Sequence, residues 1–152
     1  RFGRPAVPVF TPENQNFEIG KSIKLQDGDD ITIIATGHLV WEALEACDML
    51  SKQGIKADVL NIHTIKPLDQ NSIIHSAKKT NCVITAEEHN YLGGLGESVA
   101  RVLSENYPTP MKIIGTNDTF GESGKPSELL KKYNLSSGAI FDAAKKLIKR
   151  KK

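Results

Sequence analysis

The chain has 152 residues, 39% of them hydrophobic and 25% charged, which is enough for one domain with a buried core. Its 20 basic and 18 acidic side chains leave a formal charge of +2, so no field of one sign covers the molecule and nucleic acid is not implied as a partner. No apolar stretch approaches the roughly 18 residues that cross a bilayer, and the expectation is a soluble, cytoplasmic protein with no membrane contact.

The chain opens on Arg1-Phe2-Gly3-Arg4-Pro5, with neither an initiator Met nor a signal-peptide core. A piece of a longer polypeptide, or a processed start, is expected. Residues 1–20 hold Pro5, Pro8, Pro12 and Asn14-Gln15-Asn16, a composition that suits an extended linker from an upstream domain. Ser22-Ile23-Lys24-Leu25 alternates, and Gln26-Asp27-Gly28-Asp29-Asp30 follows with turn chemistry that suits a hairpin. Ile31-Thr32-Ile33-Ile34-Ala35 is β-branched and nearly continuous, as a central strand covered on both faces should be.

Val40, Leu44, Cys47 and Leu50 then recur at helical spacing, with Gly54 as the stop. A strand is expected over 57–62, a turn at Pro67 and a helix over 68–80 with Ile73, Ile74 and Ala77 inward. The third parallel strand runs over 82–85 and the next helix over 93–106, with Val99, Val102 and Leu103 apolar. Met111 to Ile114 reads as a further strand, and helices over 127–133 and from Ser136 or Ser137 to about Lys149 finish the chain. Ile140, Ala143, Ala144, Leu147 and Ile148 share one face of the last.

Strands alternating with helices mean right-handed crossovers and a largely parallel sheet. The fold class is therefore α/β, with the segment at 22–25 available as an antiparallel edge strand. Cys47 and Cys82 have no neighbour at metal-ligand spacing and read as buried thiols in a reducing compartment. Six of the last eight residues, Lys145 to Lys152, are basic. They suit a helix C-terminus, where cations complement the macrodipole, running into a basic tail at 150–152, with an RNA or anionic-lipid patch as the alternative.

The candidate site lies where the strands end. One rim of a parallel sheet collects Gly37 and His38, His63 and Thr64, Glu87, Glu88 and His89, and Thr116, Asn117 and Asp118. Three histidines and several carboxylates there would suit acid/base chemistry, but no spacing supports a metal, and loop capping or interface contact is the plainer expectation. Gly93-Gly94-Leu95-Gly96 at a helix start could cradle a phosphate. It has neither the dinucleotide pattern nor a P-loop ending, so close packing of backbone is favoured. Asp27-Gly28-Asp29-Asp30, with Asn61 some thirty residues on, fails as a Gly-Asp-Gly metal motif because Asp30 stands where glycine is required. It reads as a turn.

Taken in order, Arg1 to Pro8, Ile34-Ala35-Thr36-Gly37, Asn61 to Asp69, Thr85 to Gly96 and Phe120-Gly121-Glu122-Ser123-Gly124 resemble the C-terminal domain of transketolase. The same domain occurs in deoxyxylulose phosphate synthase and in 2-oxo acid dehydrogenase beta subunits, which remain alternatives, as does a stand-alone module that binds a small ligand. The resemblance implies a three-layer α/β/α domain over 21–149, with a mixed five-stranded sheet and one antiparallel edge strand. For the whole enzyme it implies transfer of a two-carbon ketol unit between sugar phosphates, using thiamine diphosphate and Mg²⁺. Neither cofactor is expected on this domain. The implied partners are the diphosphate-binding and pyrimidine-binding domains, in a homodimer or a split-subunit assembly. No catalytic residue and no metal ligand is expected here, and Arg1 alone stands near a family arginine that contacts substrate phosphate. Gly37, His38, His63, Glu87, Glu88, His89, Gly93, Gly94 and Gly96 line the candidate crevice.

Overall fold

The structure, a computed structural model, describes residues 6–150. The apolar run at 31–35 is strand β2 (Ile31–Ala35), buried at every position. A strand buried on both faces belongs at the centre of a covered sheet, and β2 is flanked by two parallel neighbours, β3 (Ala57–Asn61) and β4 (Val83–Asn90). Outside these lie β1 (Ile23–Gln26), antiparallel to β3, and β5 (Met111–Thr116), parallel to β4. The order is β1-β3-β2-β4-β5.

Helices cover both faces. Against one face, α1 (Leu39–Ser51) and α5 (Ser137–Arg150) enclose Ile31, Ile33, Leu50, Ile84, Ile140 and Leu147. Against the other, α2 (Gln70–Thr80) and α3 (Leu95–Asn106) enclose Ile34, Leu60, Ile73, Val83, Val99 and Leu103. The short α4 (Pro126–Lys132) opens with proline at its start, where a missing N–H costs no bond. The result is the three-layer α/β/α domain with one antiparallel edge strand that the sequence led us to expect.

Two expectations are corrected. Gln26 to Asp30 does not close a hairpin, because both sides of β2 are taken by crossover strands and β1 must pair with β3. The turn instead packs on the start of β3: a Cβ on Gly28 would lie 2.5 Å from Lys56 carbonyl atoms, and Asp30 accepts from Lys56 N–H at 2.7 Å. The third parallel strand, expected to end at Thr85, continues to Asn90, so Glu87, Glu88 and His89 are strand residues. The helix ends differ by a residue or two.

Carboxylates anchor the helix starts. Asp69 caps α2 through Ser72 N–H and hydroxyl, and also accepts from Ser22 N–H at 2.8 Å and Ser22 hydroxyl at 2.9 Å, tying β1 to α2. Glu42 of α1 accepts from Ser137 N–H at 2.5 Å, where α5 begins.

One polar seam crosses the α2 face. Asp58 is fully buried; it accepts from Ser76 hydroxyl and pairs with Lys79 at 2.9 Å and Lys24 at 3.3 Å. Thr32 hydroxyl shares hydrogen bonds with Ser76 and Thr80, each at 2.7 Å. Burial works to lower the Lys79 pKa, but Asp27 and Asp58 outweigh it and hold the amine above its ordinary value. Asp27 is bonded by Lys79 and Lys24, which keep its carboxyl well below the usual range.

Candidate functional site

A helix N-terminus offers free N–H groups and a positive dipole end to any anion. At α3 two of those groups are taken. Strand alternation sends Val83, Thr85 and Glu87 to the α3 side of the sheet. Glu87 thereby lies beneath the first turn of α3, 1% exposed, accepting from Leu95 N–H and Gly96 N–H at 2.8 Å each. Gly94 carries no side chain because a Cβ there would collide with the Glu87 carboxylate. Gly96 has the same need on its other flank, where a Cβ would lie 2.5 Å from Ile113 Cγ2. Gly93 makes the approach turn at φ +72°, a conformation that favours glycine.

The remaining rim residues divide into local contacts. His38 Nδ1 lies 2.6 Å from Glu88 Oε2, joining the end of β2 to the end of β4. Gly37 precedes it at φ +59° with open space around a would-be Cβ. His63 Nδ1 is 2.9 Å from Thr64 Oγ1 and its ring lies tilted against Phe17, 4.4 Å between centroids, while its Nε2 is buried without a hydrogen-bond partner among the described residues. His89 Nδ1 lies 3.2 Å from Asn90 O, and Asn90 Nδ2 donates to Asp118 at 2.8 Å, linking the ends of β4 and β5. The structure thus joins His38 to Glu88, and Glu87 to Gly94 and Gly96, while His63 and His89 bond to their own chain neighbours. Arg1 lies outside the described residues.

Thiamine diphosphate and Mg²⁺ can be tested against the residues present. At the α3 N-terminus a diphosphate would meet Leu95 and Gly96 N–H groups already held by Glu87. A metal would need available carboxylates, yet Asp27 is held by two lysines and Asp30 by Lys56 N–H. Among the described residues no group of three or more His, Cys, Asp or Glu is placed to hold an ion. Among the described residues, then, neither the α3 N-terminus nor the turn at Asp27 to Asp30 fits the cofactor. Cys47 and Cys82 are both buried, and burial pushes the Cys47 thiol up, away from nucleophilic character. No helix among the described residues is long and apolar enough to cross a membrane.

Sequence reasoning placed Glu87 on the rim but missed its bond to α3. Extending the strand two residues beyond Thr85 would have found it, since the alternation then turns Glu87 inward. The Asp69 bridge to Ser22 left no local signal.

The order β1-β3-β2-β4-β5, with one antiparallel edge and helices on both faces, defines an open-sheet α/β/α domain. Residues 20–140 match the family model for the transketolase C-terminal domain, and the chain belongs to that family. It is 45% identical over 148 residues to a 6-deoxy-6-sulfo-D-fructose transketolase subunit of Clostridium sp. (strain MSTE9), covering 97% of this chain and 46% of the relative. A 1-deoxy-D-xylulose-5-phosphate synthase of Halothermothrix orenii is 41% identical over 132 residues, covering 86% of this chain and 21% of that protein. A solved structure described as a split gene transketolase, inactive beta4 tetramer, superposes with a TM-score of 0.92 at 43% identity, covering 96% of this chain and 48% of that one. The chain spans about half the length of the first of these relatives.

Proposed function

We propose that this chain is the C-terminal portion of a thiamine diphosphate-dependent transketolase in the cytoplasm, and that it contributes assembly rather than chemistry. The observation that carries this is Glu87 occupying the α3 N-terminus, whose Leu95 and Gly96 N–H groups the strand-end crevice would otherwise offer to an anionic ligand. Exposed Ile65, Leu92 and Phe120, on the segments after β3, β4 and β5, and Phe17, which precedes β1 and lies against His63, suit a rim that packs against further domains. Those domains supply the cofactor site, and the whole enzyme moves a two-carbon ketol unit from a ketose phosphate to an aldose phosphate. Arg1 contacts substrate phosphate from the junction with the preceding domain, the segment up to residue 20 acting as the linker. The assembly is a homodimer or a split-subunit complex.

The test mixes the purified chain with ketose phosphate, aldose phosphate, thiamine diphosphate and Mg²⁺. No turnover is expected until the diphosphate-binding and pyrimidine-binding domains are added. Turnover by the chain alone would overturn the reading. The Halothermothrix relative favours a second reading, deoxyxylulose phosphate synthesis, and pyruvate with an aldose phosphate, offered to the completed enzyme, separates the two.

A further inference from the structure

β5 is the last strand of the sheet, paired with β4 on one side and, among the described residues, with nothing on the other. Val83 N–H donates to Pro110 O and Tyr91 N–H to Thr116 O, so the even-numbered residues of β5 direct their backbone groups to β4. The N–H and C=O groups of Met111, Ile113 and Gly115 therefore face outward.

Beside this open edge a groove of about 480 Å³ runs between β5 and α5. Ile114 and Leu147 form its apolar floor. Its wall is an α5 stripe at helical spacing, Ala139, Ala143, Lys146 and Arg150, next to the face that buries Ile140 and Ala144 in the core. The small alanines leave room alongside β5 where a sixth strand would run. Lys112, Lys146 and Arg150 border the space against a single carboxylate, Asp142.

Those charges choose the occupant. Two copies of the chain meeting at this edge would set like charges against each other, which disfavours the pairing. A lysine on an edge strand deters indiscriminate pairing, and a carboxylate placed opposite it turns that deterrent into a favourable cross-strand pair. We propose that β5 and the α5 groove take an extended acidic segment of another polypeptide as a sixth strand. Its backbone bonds Met111, Ile113 and Gly115. A carboxylate opposite Lys112 lies within reach of Lys146 and Arg150, and an apolar side chain two positions on packs over Ile114. This surface is separate from the strand-end rim.

The experiment titrates a fluorescein-labelled peptide, Glu-Thr-Val-Thr-Glu-Thr-Val, against the 152-residue chain by anisotropy, with a Lys-for-Glu peptide as control, and follows amide hydrogen exchange. The acidic peptide is expected to bind and to slow exchange at Met111, Ile113 and Gly115, and K146E/R150E to weaken binding about tenfold. If that variant alters the circular dichroism, raised salt makes the same comparison in the unchanged chain. Absence of binding up to millimolar peptide, equal binding of both peptides, or binding that leaves those three amides unprotected would overturn the proposal. So would concentration-dependent dimers that protect the same amides.

Discussion

Glu87 and Gly94 are one device made of two residues: a buried carboxylate and the missing side chain that lets it reach the helix. Glu87→Ala removes the acceptor for two buried N–H groups, and unsatisfied groups of that kind cost about 1–3 kcal/mol each. A lower urea midpoint at an unchanged m-value is expected, while an unmoved midpoint would show that water replaces the carboxylate without loss. Gly96 poses a question of sign. Alanine should gain about 1 kcal/mol of helix propensity, but its Cβ would press on Ile113, 2.5 Å away, and overpacking costs about 1–3 kcal/mol. Gly96→Ala is expected to destabilise, and Ile113→Ala in the same chain to recover part of the loss. A double-mutant cycle measures that coupling, and strict additivity would refute the contact. These glycines were visible in the sequence as a helix start, and close packing was the favoured explanation. What each one packs against was not visible, because Glu87 and Ile113 come from different strands.

Asp69 shows the same principle across elements, since one carboxylate caps α2 and holds Ser22 just ahead of β1. Burial opposes its ionisation, but the hydrogen bonds from Ser22 and Ser72 outweigh that and hold its carboxyl below the ordinary value. A depressed folded value contributes stability that is present above the unfolded pKa of about 3.9 and lost as pH falls through the folded one. Asp69→Ala is therefore expected to cost about 1–2 kcal/mol near neutral pH and to flatten the acid limb of the stability profile below about pH 4. Denaturation series at several pH values check both. The elements themselves were largely legible: β2 announces burial by its nearly continuous apolar run, and α5 by its face of Ile140, Ala144 and Leu147. The partner of β1 was not, because an antiparallel edge strand pairs with whichever side the crossovers leave open. Neither was the Glu42 cap on α5, whose two groups lie 95 positions apart.

Over the whole molecule, α/β alternation set the layers, and the ordered motifs carried the family. Burial of Asp58 escaped the sequence, where Ala57-Asp58-Val59 reads only as a strand interrupted by charge. In the structure that charge is matched by Lys79, Lys24 and Ser76, and Ser76 also bridges to Thr32. Ser76→Ala should cost about 1–3 kcal/mol in a thermal or chemical melt, more than a surface serine would. The closed cradle at α3 has a further consequence for the stability of the entire fold. Glu87 is in effect a ligand carried on its own chain, so Glu87→Ala converts the domain into an apo receptor shaped for a small carboxylate. Formate or acetate should then raise the melting midpoint of the variant with the logarithm of concentration and leave the parent chain unmoved, a chemical rescue that reports how tightly the native carboxylate is held.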